Sequence, residues 1–305
     1  MHRSEHDDVT LIVRECGERT VEACIAQLAA LFPGQPIHRI SNRPFVATLR
    51  ASLQQGLADG RTWTLCIDAD VLVLPALRNF IAEAKRLPAH FAEAQALVAD
   101  KLLPARRPAG NHLYRSTLIP KALASLPDSP GLRPESAMVD ALVRAGHPYH
   151  QSAWLIGLHD FGQAPADVYD KAALHGHKHA YLGELLLPLW QGWSEEDEDY
   201  RIALQAFLAA SHQPAPAEVA RHRGGEETGI APAMSTETMK RLLDQAPHRR
   251  PEAAALRRRI EGDVFNVMAG QRQQYELTLP FWRRWLERLR GGYPYFPRQP
   301  GSLDD

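Results

Sequence analysis

Trp63-Thr64-Leu65-Cys66-Ile67-Asp68-Ala69-Asp70-Val71-Leu72 is an apolar run that meets two carboxylates one residue apart. An ionised carboxylate is costly to bury unless a cation or several hydrogen bonds compensate it. A hard divalent metal with a phosphate partner is one such compensation, because Mg²⁺ is usually held by one or two carboxylates plus substrate phosphate oxygens. The pair therefore predicts a metal–diphosphate site at the carboxyl end of a central strand, where open α/β sheets place their ligands.

Upstream of this run, strand and helix patterns alternate. Val9 to Val13 reads as a short buried strand, and Glu18-Arg19-Thr20 opens an amphipathic helix that runs to about Leu31. Pro33-Gly34 stops it, Ile37-His38-Arg39-Ile40 makes a second strand, and a helix carrying Phe45, Leu49, Leu53 and Leu57 ends at Asp59-Gly60. Downstream come a helix from about Pro75 to Lys85 and a strand over Ala94 to Val98. Gly110 to Pro120 reads as a turn and short apolar segment, Glu135 to Ala145 as a helix and His150 to Leu158 as a strand. Repeated β-α-β units imply a doubly wound, mostly parallel sheet. Right-handed crossovers would gather Arg14-Glu15, Ser41-Asn42-Arg43 and Asp68-Ala69-Asp70 along one edge.

After about residue 195 the character changes to helix. Ser194-Glu195-Glu196-Asp197-Glu198-Asp199 resembles a capped acidic helix start, and residues 212–234, rich in Pro, Gly, Ala and Glu, read as a mobile loop. The division expected is a domain over 1–193 with a helical C-terminal extension over 194–305. With 35 basic and 36 acidic residues, no global field argues for nucleic acid. Cys16, Cys24 and Cys66 lack metal-ligand spacing and read as reduced core thiols. The polar amino terminus is unlike a secretory signal, and no apolar run approaches the ~20 residues of a membrane span. A soluble, cytoplasmic protein is expected.

In this order, the first 180 residues resemble nucleotide-sugar glycosyltransferases of the GT-A fold, closest to the family-2 group. The matching pieces are Arg14 with Glu18-Arg19-Thr20, the Asp68-Ala69-Asp70 motif, Gly110-Asn111-His112-Leu113-Tyr114-Arg115, and Arg133-Pro134-Glu135-Ser136 before a helix ending in Ala145-Gly146. The resemblance implies a nucleoside-diphosphate sugar donor and a saccharide, lipid-linked or small-molecule acceptor. By resemblance, Asp70 ligates Mn²⁺ or Mg²⁺, and Asp68 touches the sugar or shares the ion. His159 is the third ligand, just beyond an apolar strand. Arg14, Glu18 and Arg50 are the nucleotide-pocket candidates. Glu135 is the candidate general base, in a position where the family usually carries an acidic pair but this chain reads Glu135-Ser136.

Tyr169 to His179 forms a basic helical segment in which His175 and His179 share a face, flanked by Lys171 and Lys178. Lys171 and His175 are therefore candidates for a surface that meets the diphosphate or an anionic acceptor. A zinc site on His175 and His179 lacks an evident third ligand. Near the end, Phe281, Trp282, Trp285, Leu286 and Leu289 form a stripe with arginines outside it. Such a helix packs internally, joins a twin subunit, or lies on the inner face of a membrane. His248-Arg249-Arg250 and Arg257-Arg258-Arg259 read as solvated helix surface.

Three other readings compete. Asp68-Ala69-Asp70-Val71 also resembles the nucleophile loop of haloacid-dehalogenase-like phosphohydrolases, although no Gly-Asp-x-x-x-Asp follows. A nucleotidyltransferase shares the fold, but Cys16-Gly17-Glu18-Arg19 fits its glycine-rich loop poorly. A non-catalytic scaffold is the last.

Overall fold

The computed structural model describes residues 8–41, 44–127, 131–217 and 235–289, with backbone only at 236 and 286–289. Asn42, Arg43, most of the expected 212–234 loop and Gly291-Gly292 lie outside the described residues. In chain order the elements are β1 (Val9–Arg14), α1 (Val21–Leu31), β2 (Ile37–Ile40), α2 (Phe45–Asp59), β3 (Trp63–Asp68), β4 (Val71–Val73) and α3 (Leu77–Ala84). Next are β5 (Glu93–Asp100), β6 (Arg106–Pro108), β7 (Asn111–Arg115), α4 (Ile119–Ala124), α5 (Pro134–Arg144) and β8 (Tyr149–His159). The helical part is α6 (Pro165–Lys178), α7 (Gly183–Trp193), α8 (Glu198–Ser211), α9 (Thr236–Asp244), α10 (Ala254–Thr278) and α11 (Phe281–Leu289).

The strands form one sheet in the order β2-β1-β3-β7-β5-β8-β4, with β6 paired to β5. β1, β2, β3, β5 and β8 run one way, while β4, β6 and β7 run against them. Every residue of β1 is buried, so both faces of the sheet are covered, as expected for a doubly wound fold. The C-terminal part is helical, as its composition implied.

The strand from Trp63 finishes on the carboxylates as expected: β3 ends at Asp68, Ala69 and Asp70 turn the chain, and β4 leaves for an edge of the sheet. One feature departs from the sequence expectation. The segment after Gly110 is not merely a turn, because β7 enters the sheet antiparallel between β3 and β5. Gly110 makes that entry possible. Its φ is +60°, and a Cβ there would lie 2.6 Å from Val71 Cγ2 and 3.3 Å from Asp68 Cβ.

The helices after β8 dock onto the sheet through a second apolar cluster that joins Leu102 and Leu103 to Trp190, Tyr200 and Leu256. Trp190 Nε1 donates to Leu102 O at 3.0 Å, and Lys101 pairs with Asp197 at 2.7 Å, the residue that caps α8. Cys24 and Cys66 are buried free thiols. His248, expected on a solvated face, is buried, and its carbonyl accepts from Arg257. Phe281, Trp282 and Trp285 are all more than half exposed. No helix among the described residues is long and apolar enough to cross a membrane.

Candidate active site

Strand register assembles the site. Arg14 at the end of β1 is level with Asp68 on β3, and Asp100 at the end of β5 is level with His159 at the end of β8. His159 is also level with Val71, the first residue of β4. The Ala69-Asp70 turn is tied down by backbone bonds: Ala69 N–H donates to Arg14 O at 2.9 Å, and Asp160 N–H donates to Asp70 O at 3.2 Å. Thr20 Oγ1 donates to Ala69 O at 2.8 Å. A cavity of about 600 Å³ opens over these strand ends, bounded on the far side by α5, α6 and α10. Its size suits a small-molecule ligand.

One polar group at the cavity floor contains Asp70, His159 and Asp160, whose ligand atoms all lie within 4.8 Å of one another. Asp160 is wholly buried and holds a left-handed backbone, φ +66°, a conformation more often kept at functional sites than elsewhere. Lys171, from α6, places Nζ 2.5 Å from Asp70 Oδ2 and also donates to Asp160 Oδ1. His159 Nδ1 meets Asp100 Oδ2 at 2.8 Å, leaving Nε2 turned toward Asp70 Oδ1 at 3.6 Å. Asp100 in turn takes Arg107 Nη2 at 2.6 Å. Burial opposes charging of the imidazole, but Asp160, Asp70 and Asp100 push His159 up to about 10. Burial likewise opposes the charge on Asp160, yet His159 and Lys171 hold it well below the usual carboxylate range.

This group could hold a metal ion. Two carboxylates and an imidazole whose other nitrogen is oriented by a third carboxylate are a common donor set. In the structure as it stands, the Lys171 ammonium and His159, whose charged form the carboxylates around it favour, stand where a divalent ion would bring its charge. Loading an ion would therefore require His159 to lose its proton and Lys171 to move off the pair.

The second polar group is centred on Arg14, which is almost fully buried. Its Nε donates to Asp68 Oδ1 and its Nη1 to Glu135 Oε1, both at 2.7 Å. Glu135 also accepts from Tyr114 Oη and pairs with His112 Nε2 at 2.9 Å. His112 Nδ1 lies 2.5 Å from Glu93 Oε1. Burial disfavours a charged His112, but Glu135 and Glu93 raise it to about 9. Burial also disfavours a charged Glu135, and Arg14 and His112 outweigh it, so its carboxyl stays well below the usual range.

The residues expected from sequence now fall into place individually. Asp70, His159 and Lys171 converge. Asp68 faces the same cavity but is held by Arg14, and Asp160 takes the place expected for it beside Asp70. Arg14 is a buried clamp between two carboxylates, not a group presented to a nucleotide. Glu18 closes the loop after β1, accepting from Cys16 N–H at 2.7 Å and from its thiol, and is not on the cavity wall. Arg50 is exposed on α2 and also misses the cavity. Glu135 lines the cavity, but Arg14, Tyr114 and His112 hold its carboxylate, and the two cations keep its pKa well below the working pH where a base is effective. The geometry makes it a counter-ion.

Sequence reasoning missed two carboxylates here. Asp160 adjoins His159 and could have been taken with it. Asp140 lies on α5, five residues after Glu135, and lines the cavity half-buried. Its polar contact is a weak one from Gln271 Nε2 at 3.3 Å. The other cavity-lining carboxylates each face a cation: Asp68 and Glu135 meet Arg14, Asp70 and Asp160 meet Lys171, and Asp263 meets Arg259.

The opposite wall is basic. His175 and His179 stand with ring centres 5.3 Å apart, beside Arg107, Arg133 and Lys178. Burial, then His179 and Arg107, keep His175 well below its ordinary value. Burial, then Arg107, Arg133 and Lys178, bring His179 down to about 3. The neutral rings and the cations around them face the same cavity as the carboxylates.

No protein-family model matches this chain, and no curated protein does. Among solved structures, it is similar to a glycosyltransferase involved in the glycosylation of the major capsid of PBCV-1, at 11% identity and a TM-score of 0.34. That match covers 50% of this chain and 92% of the other. It is also similar to CMP:2-keto-3-deoxy-manno-octonic acid synthetase complexed with CTP, at 11% identity and a TM-score of 0.30, over 47% of this chain and 89% of that one. Likenesses this slight carry no argument about chemistry, which rests on the geometry of the site.

Proposed function

We propose that this protein is a glycosyltransferase that moves a sugar from a nucleoside-diphosphate donor to an acceptor in the cavity above the strand ends. The observation that carries the reading is the Asp70-His159-Asp160 group at the carboxyl edge of an α/β sheet, opening into a cavity with a separate basic wall. Asp70, His159 and Asp160 would hold Mn²⁺ or Mg²⁺, and the imidazole favours Mn²⁺. The ion supplies charge neutralisation for the departing diphosphate. With an ion held there, Lys171 would be free of the two carboxylates and, from α6, could meet donor phosphate oxygens. Asp68, fixed by Arg14, is set to accept from donor hydroxyls.

The base for an inverting transfer is Asp140, because it lines the cavity and no cation among the described residues pairs with it. Glu135 positions Arg14 and His112. Clamping of Asp68 by Arg14 disfavours the phosphohydrolase alternative, which needs that carboxylate as a nucleophile. We take residues 1–193 as the catalytic unit and 194–305 as its helical extension. The exposed Phe281, Trp282 and Trp285 beside Arg283 and Arg284 support peripheral contact with an anionic membrane face. Co-sedimentation with anionic vesicles tests that contact, and a concentration-dependent dimer without vesicle binding would replace it.

The test of the function is a thermal-shift screen of nucleoside diphosphates and nucleotide sugars with and without Mn²⁺, since a ligand of the native state raises its apparent stability. A selective metal-dependent shift, abolished in Asp70→Ala, is expected. An unchanged shift in that variant would remove Asp70 from the donor site.

A further inference from the structure

The basic wall has features that the donor site does not explain. Arg133 faces the cavity, and its Nη2 donates to the Lys178 carbonyl at 3.0 Å; it meets no carboxylate among the described residues. His175 is more than nine-tenths buried, yet its Nδ1 has no hydrogen-bond partner, and the same holds for Nδ1 of His179. Buried polar atoms are nearly always satisfied, so such orphans mark a place where a missing partner belongs. The cations are gathered from three elements: Arg107 from β6, Arg133 from the approach to α5, and Lys178 from α6. Arg107 is balanced by Asp100, and Arg133 binds a last-turn carbonyl of α6 through one nitrogen, so the helix end accounts for part of this gathering while the Arg133 charge meets no carboxylate among the described residues. A guanidinium without a carboxylate, set beside imidazoles whose Nδ1 atoms lack partners, is most stable when an anion fills the space before it.

Position separates this wall from the donor diphosphate. Lys171 marks the Asp70–Asp160 pair; His175 follows about 6 Å further along the helix axis, and Lys178 about 10 Å. A diphosphate gripped at Asp70 therefore reaches at most the near end of the wall, at His175, and leaves the end at Lys178 and Arg133 open.

We propose that Arg133, Lys178, His175 and His179, with Arg107 behind them, form a second anion subsite that takes the phosphate group of the acceptor. The word acceptor rests on the transferase reading above; the anion subsite does not. Arginine supplies a planar pair of N–H donors matched to phosphate oxygens, and His179 Nε2 lies beside them, 3.5 Å from Arg133 Nη2.

Titration calorimetry with inorganic phosphate, on wild type and on Arg133→Gln and Arg133→Lys, tests this. UDP, GDP, CDP and ADP with Mn²⁺ are titrated in parallel. Phosphate should bind wild type alongside the bound nucleotide. It should weaken at least about tenfold in Arg133→Gln and recover in part in Arg133→Lys, with nucleotide affinity unchanged. Loss of nucleotide affinity by the same factor, or competition between phosphate and nucleotide, would assign the wall to the donor and overturn the proposal. Absence of phosphate binding to wild type overturns the subsite and leaves the transferase reading standing. Phosphate binding that depends on Arg133, with no nucleotide bound by wild type, upholds the anion site and sinks the transferase reading instead.

Discussion

Replacing Lys171 by methionine isolates the electrostatics of the cavity floor. The ammonium is buried, as are both carboxylates it contacts, with side-chain exposures of 3% for Lys171, 6% for Asp70 and 0% for Asp160. Methionine keeps most of the volume and removes the charge, so Asp70 and Asp160 are left facing each other with only His159 between them. Removing one partner of a buried ion pair typically costs about 3–5 kcal/mol. At about 2–4 °C per kcal/mol for large domains, the melting temperature should fall on the order of 10 °C without metal.

Metal should then rescue the variant. A divalent ion at 100 times its dissociation constant returns about 2.7 kcal/mol, and in the variant it no longer displaces an ammonium. Differential scanning calorimetry across a Mn²⁺ series should therefore show a larger stabilisation of Lys171→Met than of wild type, with the gap closing as Mn²⁺ rises. Equal melting temperatures without metal would refute the view that Lys171 holds the pair together. A gap that persists at saturating Mn²⁺ would refute the view that ion and ammonium compete for one place.

Three further outcomes follow from the same geometry. His112 sits at about 9 in the fold against an ordinary value near 6.5, so its ion pairs stabilise the protein fully below about pH 6.5 and cease to do so as pH rises through about 9. The ceiling is about 3 kcal/mol, and urea unfolding at pH 6.5 and 9.5 should show a loss that His112→Gln reduces by about that amount, the remainder coming from His159, which loses its stabilising charge over the same range; an unchanged loss would exclude His112 as a source. Asp140→Asn should lower kcat by about 10²–10⁴ with donor affinity intact if Asp140 is the base, and equal losses in both would make it a binding residue. Gly176→Ala places a Cβ 2.9 Å from Ala210 Cβ and 3.0 Å from the Phe207 carbonyl, where α6 crosses α8. It should cost about 1–3 kcal/mol, and an unmoved denaturation midpoint would show that the two helices have room to part.

Local pattern carried a large share of the architecture. The strand Ile37–Ile40 and the helix ending at Asp59 lie where hydrophobic period and Gly60 put them, because periodicity and capping are properties of neighbouring residues. The location of a polar centre at Asp68-Ala69-Asp70 was equally legible, since two acids at the end of an apolar run need compensation wherever they are folded. What compensates them was not. Lys171 lies 101 residues from Asp70, and Arg14 lies 54 from Asp68 and 121 from Glu135, so no window of sequence contains either pair. The antiparallel entry of β7 is likewise a decision of the sheet, made between strands that are distant in the chain. Composition and period therefore determined an α/β scaffold and where its acidic centre falls. Only the tertiary structure decided which cation each acid meets, and that choice separates a counter-ion such as Glu135 from an accessible carboxylate such as Asp140.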